Sequence, residues 1–186
     1  MPESLVHVEE IRKAFAEYDR KVNLHNVQVG CVIGAVFMPV GTVLDYWIYR
    51  SDLIYFLELR LLCAALIGIF WAIAVTRFGH RHSRKLGVLL AMFPAFFISW
   101  MIYTTEGANS PYYAGLNIVL LVVGIVVHWT FIESFIAVSL VMLMYVGACA
   151  LHGNTFQAGL ANNLYFLALT GIVIVTGSYF NTQLRF

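Results

Sequence analysis

The 186-residue chain is 61% hydrophobic and only 11% charged, whereas about 25% of the residues in an ordinary soluble domain are charged. This composition excludes a soluble globular protein. Eleven Lys and Arg residues against ten Asp and Glu residues give a formal net charge of +1, so the chain lacks the basic excess that binds nucleic acids through their phosphates.

The first 26 residues form a polar, acid-rich segment without the charged-then-apolar pattern of a cleaved signal peptide. Apolar residues recur there every three or four positions, as at Ile11, Phe15, Tyr18 and Val22. This spacing predicts an amphipathic helix on the cytoplasmic side. Such a helix either lies on the membrane surface or packs on the inner ends of the bundle or on a partner domain.

A membrane-spanning helix needs about 20 mostly apolar residues to cross ~30 Å of hydrocarbon. Six such runs occur, at residues 27–49, 53–76, 86–104, 112–131, 135–151 and 163–182. The predicted fold is therefore an all-α integral membrane bundle of six transmembrane helices, the sensor domain 27–182, preceded by the amphipathic helix in 1–26.

Basic residues are distributed unequally between the two sides of these spans. One side carries nine Lys and Arg residues and the other side only Arg50, with Arg60 inside the second span. Because short cytoplasmic loops collect basic residues, this asymmetry predicts that both termini are cytoplasmic.

Three ionisable residues other than histidines fall inside the spans: Asp45, Glu58 and Arg60. An intramembrane charge costs roughly 2.5–3.5 kcal/mol on insertion scales and indicates a function or a specific partner. The turn at residues 50–52 brings Asp45 and Arg60 to a similar depth, so we predict an ion pair between them, with Glu58 as the competing partner. The alternative is that each side chain extends to the outer interface.

The same outer level is rich in aromatic and amide side chains. An interfacial aromatic belt accounts for some of them without any ligand. Several pairs lie three or four residues apart, however, and can point into the bundle together. A mostly apolar pocket with a few convergent polar groups suits a small amphiphilic ligand. The candidate ligand-binding residues are Asp45, Tyr49, Glu58, Arg60, Trp100, Tyr103, Tyr113 and Asn117.

No catalytic motif and no metal-ligating cluster is evident in the sequence, so the chain is predicted to be neither an enzyme nor the holder of a cofactor. Cys31, Cys63 and Cys149 lie inside apolar runs and form no CxxC pair. A six-helix bundle can hold haem between two histidines on different helices. His25 and His128 are the pair that fits this alternative.

Two stretches resemble a known family of modules. They are residues 59–65, Leu-Arg-Leu-Leu-Cys-Ala-Ala, and residues 110–121, which begin Ser-Pro-Tyr-Tyr-Ala-Gly-Leu-Asn. With the six-span layout, they resemble the membrane sensor modules at the N-termini of bacterial histidine kinases and class III nucleotide cyclases. That family includes quorum-sensing kinases for long-chain α-hydroxyketones.

The resemblance implies a homodimeric receptor in the bacterial plasma membrane. Its bundle would bind a lipophilic signal and pass a helix shift through the sixth span to a kinase or cyclase domain. Residues 183–186 are expected to begin the linker to that domain. A small transporter or channel is the alternative from another functional class, but the inner halves of the third to fifth spans are nearly all apolar and offer no polar path.

Overall fold

The computed structural model describes residues 3–127, 129–153 and 158–183, and this part of the chain is helical without strands. Its seven helices are α1 (Glu3–Val40), α2 (Thr42–Ile48), α3 (Leu53–Val75), α4 (Arg77–Thr104), α5 (Tyr113–Val126), α6 (Phe131–His152) and α7 (Ala158–Gln183). Short 3₁₀ turns lie at Arg50–Asp52 and Gly107–Asn109. The all-helical prediction is confirmed.

Among the residues that the structure describes, five helical stretches are long and apolar enough to cross a membrane. They are Glu17–Ile48, Arg50–Val75, Lys85–Thr104, Phe131–His152 and Ala158–Gln183. The predicted span 112–131 contains the apolar helix α5, which has only 14 residues and is therefore about 21 Å long at 1.5 Å per residue. The structure thus supports a multi-span membrane protein without confirming the count of six.

Helix α5 is shorter than predicted because α6 begins early. The Thr130 side chain accepts a hydrogen bond from the Glu133 amide, and the Glu133 side chain accepts one from the Thr130 amide. This capping box starts α6 at Phe131, four residues before the predicted position. Val127 and Thr130 have extended backbone between the two helices.

Helix α1 is continuous from Glu3 to Val40, so the N-terminal amphipathic segment and the first span are one helix. Tyr18 is 67% exposed, and Lys21 forms an exposed ion pair with Glu17 at 3.0 Å. Pro39 lies in the last turn, and Gly41 separates α1 from α2. Pro39 has no amide proton, so the helical hydrogen bond that it removes is the one to the Ala35 carbonyl, one turn before the interruption.

Helix α4 is the centre of the bundle, because it contacts α1, α3, α5 and α6. Small residues on its buried side, Ala91 and Ala95, are fully buried and let neighbouring helices approach closely. A Cβ atom on Gly30 of α1 would lie 2.9 Å from Leu90 Cδ2 on α4. Gly30 therefore serves packing inside the bundle. Helix α7 packs against α5, α6 and the turn 107–109.

The bundle has two ends, which are named here for use below. The Arg50 end contains residues 49–52 and the loop 105–112, and the Trp129 end contains Thr76 and the connection between α5 and α6. By the predicted topology the Arg50 end is the outer one.

Candidate functional site

Helix α2 is attached to the bundle in an unusual way. Among its seven residues only Asp45 is buried, with 0% of its surface exposed. The apolar side chains of Val43, Leu44 and Trp47 are 61%, 59% and 78% exposed and point away from the bundle. The one side chain of α2 that is buried is therefore a carboxylate.

Asp45 forms the predicted ion pair with Arg60 of α3. Arg60 Nε donates to Asp45 Oδ2 at 2.7 Å, and Arg60 Nη2 donates to Oδ1 at 2.8 Å. This two-point arrangement matches the planar fork of a guanidinium to the two oxygens of a carboxylate. Both side chains are almost completely buried, with 0% and 7% of their surfaces exposed. Their charges therefore depend on each other for neutralisation.

Arg60 also holds the junction between α1 and α2. Its Nη1 donates to the Met38 carbonyl at 3.3 Å. A Cβ atom on Gly41 would lie 2.7 Å from Arg60 Cζ, so the guanidinium packs directly against the glycine. Gly41 is required here for close approach rather than for its backbone angles, because its φ of −57° is ordinary.

A third element contributes Tyr112, which precedes α5. Its hydroxyl donates to Asp45 Oδ1 at 2.7 Å, and its ring centre lies 5.8 Å from Arg60 Cζ. Tyr49 and Phe56 stack around the ring, with centroid distances of 5.5 and 5.7 Å to Tyr112. Asp45, Arg60, Tyr112, Tyr49 and Phe56 are called the Asp45 cluster below.

Hydrogen bonds and ring contacts place three of the eight candidate residues, Asp45, Tyr49 and Arg60, in this cluster. A ring contact with a centroid distance of 5.6 Å joins two others, Trp100 and Tyr103. Tyr49 is half-buried, and its hydroxyl makes no hydrogen bond within the described chain. Glu58 is exposed on α3, so it does not compete with Asp45 for Arg60. Tyr112 and Gly41 were missed as site residues. The Ser110-Pro111-Tyr112 sequence and the Pro39-x-Gly41 interruption were the available signals.

The remaining candidates lie outside this cluster. Trp100 is 43% exposed and donates from Nε1 to the Tyr55 hydroxyl at 2.9 Å. The Tyr103 carbonyl is 2.8 Å from His152 Nδ1. Tyr113 and Asn117 are half-buried, and Asn117 Oδ1 has no hydrogen-bond partner in the described chain. That all eight residues line one pocket stays a prediction.

The haem alternative rests on residues that the structure describes only in part. His25 is exposed on α1, and His128 lies outside the described residues. Within the described ranges no group of three His, Cys, Asp or Glu side chains is placed to hold a metal ion.

A second polar cluster lies on the other side of the Arg50 end, in α6, α7 and the turn between α4 and α5. Asn163 Nδ2 donates to the Ala108 carbonyl at 2.9 Å and to the Tyr145 hydroxyl at 3.0 Å. Asn163 is 4% exposed and Tyr145 is 0% exposed. These three residues, called the Asn163 cluster, carry no charge.

The opposite end of the bundle has an open groove of about 560 Å³ between the start of α6 and the end of α7. Its lining residues are Thr130, Phe131, Ile132, Tyr179, Thr182 and Gln183. The surface of the groove is mostly apolar and none of its lining residues is Asp, Glu, Lys, Arg or His, so it lacks a buried ion pair like that of the Asp45 cluster.

Comparison with known families gives a match to a family of sensor domains. The family model of the MASE8 membrane-associated sensor domains matches residues 43–186, a range that includes Asp45, Arg60 and Tyr112. No curated protein and no solved structure matches the chain.

Proposed function

The chain belongs to the MASE8 family of membrane-associated sensor domains, and we propose that it is the receptor part of a signalling protein. It binds a small lipophilic signal in the half of the bundle that contains the Asp45 cluster. It then passes a helix movement to a cytoplasmic output domain, a histidine kinase or a nucleotide cyclase. The chain itself carries no catalytic step.

The observation that carries this proposal is the burial of a complete ion pair among apolar helices. Removing two charges from water is costly, and a buried pair is often no more stabilising than apolar residues of the same volume. Ionisable residues inside a membrane segment therefore mark function by default. The pair also joins α2, α3 and the residue before α5, so a ligand that alters it acts on three elements together.

A route from this cluster to the C-terminal helix runs through α5. Tyr112 immediately precedes α5, and α5 packs against α7. The contact is close, because a Cβ atom on Gly124 of α5 would lie 2.9 Å from Ile174 of α7. A shift of α5 therefore displaces α7, which ends at Gln183. The ligand can bias this shift only by its differential affinity for the two arrangements.

We further place the domain in a bacterial plasma membrane, with both termini in the cytoplasm, as a homodimer surrounded by lipid. The distribution of basic residues supports this orientation. Many large apolar side chains are exposed around the bundle, including Ile54, Ile125 and Leu151 at 74–79%. Lipid tails or a second copy cover such residues in a membrane.

The test is native mass spectrometry of the purified domain in mild detergent, followed by organic extraction and an absorption spectrum. A lipid-like molecule is expected to accompany the wild type and to be lost from Arg60→Ala and Tyr112→Phe, the latter leaving the ion pair in place. Arg50→Ala is the matched control, because Arg50 is exposed at the same end. Equal retention in all variants, or an empty wild type, contradicts the proposal. A Soret band favours haem instead.

A further inference from the structure

The attachment of α2 also indicates what chemistry the receptor site accepts. The apolar side chains of α2 face outward, and lipid tails are as apolar as a leucine side chain, so these residues gain little from docking on the bundle. The buried contact of α2 is the Asp45 carboxylate and its hydrogen bonds. Helix α2 is thus held mainly by an anionic group placed in a binding site on other elements.

The donors that form this site do not belong to α2. Arg60 Nε and Nη2 lie on α3, whose Phe56, Cys63 and Ile67 are buried in the core on the same face. Tyr112 precedes α5, and its ring packs against Phe56 of α3 and against Tyr49, which also contact each other. These three donors converge on the two oxygens of one carboxylate. If α2 moves away, they remain together as a preformed anion site.

We propose that Asp45 is an internal occupant of this site and that the signal is an amphiphile with a carboxylate head group, which displaces Asp45 from Arg60 and Tyr112. This inference rests on the proposed receptor function and specifies its ligand class. The exchange conserves charge and hydrogen bonds, because one carboxylate replaces another. A neutral head group leaves the buried guanidinium uncompensated, which is costly.

The displaced carboxylate has a short path to water. Tyr49 caps the C-terminal end of α2, one helical turn after Asp45. The exposed Arg50 follows Tyr49. Rotation of α2 about the interruption at Gly41 moves Asp45 towards this polar boundary. The same movement opens the side of the cluster to the lipid, and the apolar tail of the ligand then lies where α2 was docked, next to Phe56 and Tyr49.

Asp45 belongs to the same chain as the site and competes with the ligand for it. This competition sets the expected affinity of the protein for the ligand. While Asp45 occupies the site, only the fraction of molecules with α2 released is competent to bind, and the apparent Kd rises by the inverse of that fraction. Removing the Asp45 carboxylate abolishes this competition. If Asp45 instead only orients Arg60 for the ligand, removal of the Asp45 carboxylate should weaken ligand binding.

The test measures binding of radiolabelled dodecanoate to the full 186-residue chain in nanodiscs of neutral lipid. Asp45→Asn is expected to bind at least tenfold more tightly than the wild type, whereas Arg60→Gln loses binding and Tyr112→Phe weakens it. Glu58→Gln is the matched control, because it removes an exposed acid from α3 near Arg60. Its binding should equal that of the wild type.

A second measurement distinguishes a change in ligand binding from poor folding of the variants. Dodecanoate is expected to raise the thermal midpoint of Asp45→Asn more than that of the wild type, while the neutral dodecanol raises neither. Unchanged or weaker dodecanoate binding by Asp45→Asn overturns the inference. Dodecanol or dodecyl phosphate binding that variant as tightly as dodecanoate also overturns it.

The outcomes separate this inference from the receptor proposal. If a neutral molecule accompanies the wild type and is lost from Tyr112→Phe, while Asp45→Asn gains no affinity for dodecanoate, only the carboxylate assignment fails. If the wild type retains no molecule and dodecanoate binds to none of the variants, both proposals fail.

Discussion

The Asp45 cluster and the Asn163 cluster lie at the same end of the bundle and both have buried polar groups at their centres, yet they are built differently. In the Asn163 cluster each hydrogen bond joins neutral groups, and Asn163 supplies both donors from one amide. In the Asp45 cluster two full charges neutralise each other, and a hydroxyl completes the coordination of the carboxylate. Only in the Asp45 cluster does the removal of one side chain, Asp45 or Arg60, leave an uncompensated charge.

The two clusters also differ in how tightly the helices around them are packed. The Asn163 cluster sits between α6 and α7, whose packing is close enough that a Cβ atom on Gly171 would lie 2.5 Å from Val138 Cγ1. The Asp45 cluster holds α2, whose apolar residues face outward. The neutral cluster therefore reinforces helices that are already packed, whereas the charged cluster is the main attachment of its helix.

The largest loss of stability is expected when one partner of the Asp45–Arg60 ion pair is removed. Arg60→Met leaves Asp45 buried without its counter-charge, and loss of one partner of a buried ion pair costs about 3–5 kcal/mol. We expect the free energy of unfolding, measured by titration of the purified protein with SDS in mixed micelles, to fall by about this amount.

The double variant Asp45→Leu/Arg60→Met tests whether the ion pair itself stabilises the protein. It replaces both charges with apolar side chains of similar size, which is often neutral or stabilising. Most of the stability lost in Arg60→Met should therefore return. A double variant as unstable as the single one means that the pair is itself a major source of stability, and the distinction between the two clusters then fails.

The second expected effect comes from crowding the guanidinium. Gly41→Ala places a methyl group against Arg60 Cζ and Nη1, and overpacking of this kind costs about 1–3 kcal/mol. Gly68→Ala is the matched control on α3, because a Cβ atom there meets no atom within 4 Å. The same SDS titration should show a loss for Gly41→Ala and none for Gly68→Ala. Equal stabilities mean that Arg60 can shift away from Gly41 without cost.

Much of the charged cluster was predictable from local patterns. The turn at residues 50–52 places Asp45 and Arg60 on adjacent helices at one depth, which is sufficient to predict their pairing. The spacing of residues along α3 also predicts that Arg60 pairs with Asp45 and not with Glu58. Arg60 shares its face with Phe56 and Cys63, which are buried at spacings of four and three residues, whereas Glu58 lies two positions away and falls on the exposed face.

Other features depend on tertiary structure that one sequence does not specify. Tyr112 reaches Asp45 across 67 residues, and its position depends on how the loop 105–112 folds over the bundle. The contact between Gly41 and Arg60 depends on the angle between α1 and α2. The early start of α6 was different, because the Thr130-x-x-Glu133 pattern of a capping box is visible in the sequence.

The smallest expected effect is in the neutral cluster. Asn163→Ala removes the donor to the Ala108 carbonyl and to the Tyr145 hydroxyl, but it strands no charge. Hydrogen bonds between membrane helices contribute about 0.6 kcal/mol on average and at most about 1.7, so we expect a loss within this range by SDS titration. Asn181→Ala, at an exposed position of the same helix, is the matched control and should change little. A loss for Asn163→Ala as large as that for Arg60→Met would mean that connectivity, rather than charge, sets the energy of both clusters.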